Sequence, residues 1–127
     1  LQGRVRLDLR WLEEEELGNI LAAADLVVLP YREGSQSAMA PLALARGVPV
    51  LTTNVGGLPE VVQDGINGRV VPVGSVRAIA DALTTLDTGS LQQLAAGARE
   101  TSERLTWESY AEALEGLVED VLGQPGR

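Results

Sequence analysis

Apolar Val5, Leu7 and Leu9 alternate with charged Arg6, Asp8 and Arg10, which predicts a strand with one covered face. Leu17, Ile20, Leu21 and Ala24 then recur at helical spacing behind four carboxylates, Glu13, Glu14, Glu15 and Glu16. Carboxylates in a first turn are favoured by the helix dipole, so they mark a solvated helix start rather than a metal site. Asp25 ends this helix, and the apolar run 26–29 reads as a buried strand. A loop over 30–37 leads into a helix of small residues over 37–46, with Gly47 as its stop and Pro49 beyond. Pro41 fits only a first turn, so this helix either starts after Ser37 or bends.

Residues 48–52 form the next predicted strand. Asn54-Val55-Gly56-Gly57 is a glycine-bearing loop, and Leu58-Pro59-Glu60 opens a short helix, where proline is acceptable. The turn dipeptides Asp64-Gly65 and Asn67-Gly68 deliver the chain into a fourth strand over 69–73. Three helices complete the pattern: 76–86 capped by Ser75, 91–104 capped by Ser90, and 107–122 capped by Thr106. On the last helix Tyr110, Leu114, Leu117, Val118 and Val121 make an apolar stripe. Residues 123–127 are expected to be a disordered tail.

Strands that alternate with helices predict an α/β fold with a parallel, Rossmann-like sheet. Ligands of such sheets collect outside the carboxyl ends of the strands. The loops after Arg10, after Leu29 and after Thr52 all fall at that edge, so three loops are expected to converge on one site.

Composition narrows the chemistry. The chain has 127 residues, a single domain's worth, and 45% of them are hydrophobic but only 3% aromatic, so the core must be Leu, Val and Ala. Eighteen acidic against ten basic residues leave a net charge of −8, which repels a phosphate backbone and argues against nucleic acid as a partner. Without a cysteine or a histidine there is no disulfide scaffold, no thiol nucleophile and no imidazole base or ligand, and no metal is expected. Apolar runs are strand-sized, which predicts no transmembrane segment and a cytoplasmic protein, peripheral at a membrane at most.

The candidate site residues lie in the three loops. Gly34, Ser35, Gln36 and Ser37 put backbone N–H groups and two hydroxyls at a helix N-terminus, a place that suits phosphate; equally, Ser35 or Ser37 caps its own helix. Gly56 and Gly57 form the second loop. Trp11 can stack on a base or cover a strand end, and Arg10 and Arg32 can meet phosphate. Glu33 can serve as an acid–base group or pair with an arginine. No lysine follows the glycine, so this is not a Walker loop.

Four blocks, in order and spacing, carry a family resemblance: Ala24-Asp25-Leu26-Val27-Val28-Leu29-Pro30, Gly47-Val48-Pro49-Val50, Val55-Gly56-Gly57-Leu58-Pro59-Glu60, and Asp64-Gly65-Ile66-Asn67-Gly68-Arg69-Val70-Val71-Pro72. The chain resembles the donor-binding half of retaining GT-B glycosyltransferases of the family 4 (group 1) type. That likeness implies transfer of a sugar from a nucleotide-diphospho-sugar donor, with no further cofactor and with the acceptor on a separate N-terminal domain. Together with the loop reading, the expected donor or phosphate contacts are Gly34, Ser35, Gln36, Ser37, Arg10, Trp11, Gly56 and Gly57; the family's first glutamate position falls on Gly34, and Glu33, one place off, is the catalytic candidate.

Two departures stand out. Family members carry a glutamate that holds the ribose, and here that position falls on Leu42, while Gln36-Ser37-Ala38 looks like a sub-branch with Gln-Ser-Gly. The family's diphosphate-binding arginine and lysine belong to an earlier strand–helix unit, so residues 1–122 are expected to be a partial C-terminal domain without that unit. An unpaired sheet edge and self-association through it would follow, and the piece alone would be inactive. The other reading is a non-catalytic nucleotide- or protein-binding module derived from such an enzyme.

Overall fold

The computed structural model describes residues 4–34, 37–104, 115–116, 118–119 and 121–123. In chain order the elements are α1 (Glu14–Ala23), β1 (Val27–Leu29), α2 (Met39–Ala45), β2 (Val50–Thr53), α3 (Leu58–Val61), β3 (Gly68–Val71), α4 (Val76–Thr85) and α5 (Thr88–Arg104). The three strands form a parallel sheet in the order β1-β2-β3, with Val27 opposite Val50 and Val50 opposite Gly68. The α/β class and the parallel sheet are as the sequence pattern implies.

The sheet's two faces are covered unequally. Val27, Leu29, Val50 and Val70 face one core, where Leu21, Ala40, Ala43, Leu44, Leu58, Val62 and Ala98 close over them. Leu51 and Val71 face the other, which α4 covers with Ala78, Ile79 and Ala82. Leu44 is fully buried, worth about 2–3 kcal/mol of transfer free energy. Val28, opposite Leu51, remains 38% exposed because α4 packs beside β3 and leaves β1 uncovered. The run 26–29 is thus an edge strand with one open face rather than a buried one.

The largest departure from the sequence pattern is at Val5, Leu7 and Leu9. Residues 5–9 form no strand, and these three side chains are exposed. Alternation supplies a strand's side-chain pattern but not its hydrogen-bonding neighbour, and neither sheet edge takes up this segment among the described residues. Helix α2 starts at Met39, so Pro41 sits in its first turn and no bend is needed. Helix α5 begins at Thr88, earlier than Ser90, because Asp87 captures the cap: the Ser90 N–H donates to its Oδ1 at 2.7 Å. Ser75 caps α4 as expected, accepting from the Ala78 N–H at 3.0 Å. The Thr106 cap, Tyr110, Leu114 and Leu117 lie outside the described residues; Val118 is exposed.

One buried side chain joins the turn before β3 to the final helix. Asn67, 1% exposed, accepts from the Gln63 N–H at 2.8 Å and donates to the Val61 carbonyl at 3.2 Å and to Thr101 Oγ1 at 3.0 Å. Gly97 makes this approach feasible: a Cβ there would overlap the Ile66 carbonyl oxygen. Among the described residues no helix is long and apolar enough to cross a membrane.

Two outcomes follow. Asn67→Ala removes three hydrogen bonds, one of them the buried bond to Thr101, so urea unfolding should show a loss of about 2–4 kcal/mol. The bond from the Ser90 N–H holds the Asp87 carboxyl below its usual range. A depressed folded pKa means that the cap stabilises fully above the unfolded value and fades as pH falls through the folded one. The Tm gap between wild type and Asp87→Ala should therefore be widest near neutrality and close on acidification.

Candidate functional site

In a parallel sheet both β1 and β2 release their following loops at the same edge, and there the two loops meet. Two threonines at the end of β2 fix the meeting. Thr52 Oγ1 donates to the Leu29 carbonyl at 3.0 Å, and Thr53 Oγ1 donates to the Tyr31 carbonyl at 2.7 Å. Tyr31 in turn places its hydroxyl 3.3 Å from Ser37 Oγ, which accepts from the Met39 N–H at 3.2 Å.

Between these loops lies a cleft of about 180 Å³, lined by Ser37, Ala40, Pro41, Gly57, Leu58, Glu60 and Val61. Ligand pockets run to about 300–1,000 Å³, so this cleft suits one group of a larger molecule rather than the whole. Ser37 caps nothing beyond the Met39 N–H. Its hydroxyl keeps a donor for a ligand when Tyr31 is the donor in their shared bond. Pro41 brings no N–H to the wall.

The structure brings together Ser37 and Gly57, with Gly56 adjoining in a left-handed conformation at φ 53°. Ser35 and Gln36 lie outside the described residues. Gly34, Arg32 and Glu33 are exposed in the first loop and do not line the cleft.

Arg10 and Trp11 do not line it either, since the strand that would have carried them to this edge does not form. Trp11 is 89% exposed. Arg10 donates to Asp8 Oδ1 at 2.9 Å and to Glu16 Oε2 at 3.0 Å, and its Nη2 contacts Glu16 Oε1. The hydrogen bond with Glu16, then that with Asp8, raises the Arg10 pKa, and the same bond lowers that of Glu16. Arg10's charge is therefore matched within its own segment.

Glu60 is the charged residue of the lining, and the sequence pattern had marked it only as part of a helix start. Its signal was position: it follows Gly56-Gly57-Leu58-Pro59 on the same sheet edge. Leu42, where the resemblance leads one to expect a glutamate, is 37% exposed on α2 and outside the cleft. Among the described residues no group of three or more acidic side chains is placed to hold a metal ion.

A parallel α/β sheet with a loop-built cleft at its carboxyl edge places the chain among the Rossmann-like domains. Residues 2–88 match the family model of the glycosyl transferases group 1, and the chain belongs to that family. It is 40% identical over 105 residues to a D-inositol 3-phosphate glycosyltransferase of Xylanimonas cellulosilytica, covering 81% of this chain and 25% of the relative. Its fold matches sucrose-phosphate synthase from Thermosynechococcus elongatus with a TM-score of 0.75 and 28% identity, covering 88% of this chain and 29% of that one. It also matches Anabaena HepE, solved in complex with UDP, with a TM-score of 0.66 and 27% identity over 76% of this chain and 29% of HepE. The chain spans about a quarter of the length of the curated relatives it matches. Its parallel sheet is that of the C-terminal half of GT-B glycosyltransferases.

The hydroxyl of Thr53 tethers the first loop, and Thr53→Val removes that tether while keeping shape. Hydrogen exchange at the Met39 amide should speed up, with a stability loss of about 1–2 kcal/mol from the unpaired Tyr31 carbonyl.

Proposed function

We propose that the chain is the donor-binding part of a retaining glycosyltransferase, which moves a sugar from a nucleotide-diphospho-sugar to an acceptor held on a separate N-terminal domain. The observation that carries this reading is the cleft where the loops after β1 and β2 meet, with Ser37 and Gly57 on its walls. Family membership and the likeness to HepE, a protein solved with UDP and with UDP-glucose, support it. As the bond between the anomeric carbon and the diphosphate oxygen breaks, negative charge gathers on the leaving group. Ser37 and the loop N–H groups are the donors this chain offers to it. The Glu60 carboxylate accepts hydrogen bonds only, so it suits sugar hydroxyls and not phosphate.

Among the described residues no basic side chain lines the cleft. In this reading the cations that a diphosphate requires come from residues outside this chain, which alone binds donor weakly and transfers nothing. Leu42 favours a second reading, a nucleotide- or protein-binding module without turnover, because leucine cannot accept a ribose hydroxyl's hydrogen bond.

Transfer assays on the chain joined to its acceptor domain, with UDP-, GDP- and ADP-sugars, separate the two. Turnover with one donor supports the enzyme; calorimetric binding of a nucleotide without turnover supports the module. Ser37→Asp should lower donor affinity at least about tenfold by setting a carboxylate against phosphate. Unchanged affinity would remove Ser37 from the site.

A further inference from the structure

Tyr31 is fixed more firmly than its place in a loop implies. Its N–H donates to the Leu29 carbonyl at 3.0 Å, and its own carbonyl accepts from Thr53 Oγ1 at 2.7 Å. Its ring is partly buried against the core. Backbone and ring together hold the phenol in one place, and there it lies 3.3 Å from Ser37 Oγ. The contact ties the base of the loop between these two residues. It also reaches the cleft, because Ser37 is part of the wall.

The same contact sets what Ser37 can do. A serine oxygen accepts two hydrogen bonds, and its hydrogen donates one. The Met39 N–H, at 3.2 Å, fills one acceptor position. In the bond shared with Tyr31 the phenol donates, because a phenol is more acidic than an alcohol and its ring draws on the oxygen's lone pairs. Both acceptor positions of Ser37 are then filled by the protein, and its hydrogen is left for a partner in the cleft. We propose, on the donor-binding reading of the chain and resting on it, that Tyr31 is a positioning residue: by donating to Ser37 it commits the serine hydrogen to a phosphate oxygen of the donor. Phosphate oxygens accept, whereas sugar hydroxyls both accept and donate, so a wall group that can only donate favours phosphate. The Glu60 carboxylate on the same wall can only accept. The cleft thus has two ends of opposite hydrogen-bonding sense, and they give the donor a direction: phosphate toward Ser37, sugar toward Glu60. A hydroxyl that accepts a hydrogen bond also donates a stronger one, which adds to the grip on phosphate.

The test is calorimetry on the chain joined to its acceptor domain, titrated with UDP, GDP and ADP. These probes carry no transferred sugar, so a loss of affinity locates the bond on the nucleotide. Tyr31→Phe keeps the ring in the core and removes the phenolic hydrogen. Ser37 is then free to sample about three staggered positions, and affinity for the diphosphate that binds should fall about threefold. Ser37→Ala removes a bond to an ionised partner and should weaken binding about tenfold or more. In the Ser37→Ala background, Tyr31→Phe should change affinity by less than about 1.5-fold, because it acts through the serine hydroxyl. A tyrosine that served the loop's shape alone would repeat its loss there. A loss below about 1.5-fold for Tyr31→Phe by itself, or a larger loss that persists in the Ser37→Ala background, would overturn the proposal and leave the donor site standing. Binding of none of the three diphosphates, or unchanged affinity in Ser37→Ala, would overturn the donor-binding reading and the proposal together.

Discussion

The hydroxyls of Thr52 and Thr53 tie the first loop to the sheet, and the cleft depends on that tie. Both threonines are 1% exposed at the end of a strand whose other residues, Val50 and Leu51, are equally buried. A hydroxyl so deep must donate, and these two donate to the carbonyls of Leu29, which ends β1, and of Tyr31 in the loop beyond it. The bonds run across the strand pair at its carboxyl edge, where the parallel ladder stops. They extend the β1–β2 contact past the sheet and into the loop, so the first loop leaves on a fixed course toward Ser37. Core and cleft are thereby one construction: the strand that packs both faces of the sheet also aims the loop.

Periodicity carried the sequence reading as far as local signals reach. The Ser75 cap and the short helix at Leu58–Val61 depend on neighbours a few residues away, and the pattern located each; the turn dipeptides before Gly68–Val71 placed that strand to within two residues, and β2 supplies its partner. Val5, Leu7 and Leu9 have an equally clear pattern, yet a strand also needs a partner's N–H and C=O groups, which side-chain alternation does not encode. Asp87 and Ser90 are both good caps three residues apart, and the Asp87 carboxylate, by accepting from the Ser90 N–H, starts the helix before Ser90. Asn67 read as a turn residue; its bond to Thr101, 34 positions on, is invisible to any local window.

The site was legible in the same measure. Parallel-sheet logic alone brings the loops of Ser37 and Gly57 to one edge, and there they line one cleft. Arg10 and Trp11 depended on the strand that did not form. Glu60 was missed because a glutamate in a helix's first turn has an adequate local explanation in the dipole. Only the placement of α3 against α2 reveals that this turn also forms a wall.

Charge sets the limit on what the cleft does by itself. A diphosphate brings at least two negative charges, and the wall already carries the Glu60 carboxylate. Donor hydrogen bonds from a hydroxyl and a few amides position such a ligand, but they do not balance it in a chain of net charge −8. Arg10 supplies no remedy, because Asp8 and Glu16 hold it. Phosphate recognition in the proposed enzyme thus needs positive charge in addition to the geometry that the loops after β1 and β2 supply. Glu60 has a place in that geometry too. Beside a phosphate it would repel, whereas one step further along the donor it meets hydroxyls that can only benefit from an acceptor. In the proposed reading Ser37 takes the phosphate end of the donor and Glu60 its sugar hydroxyls.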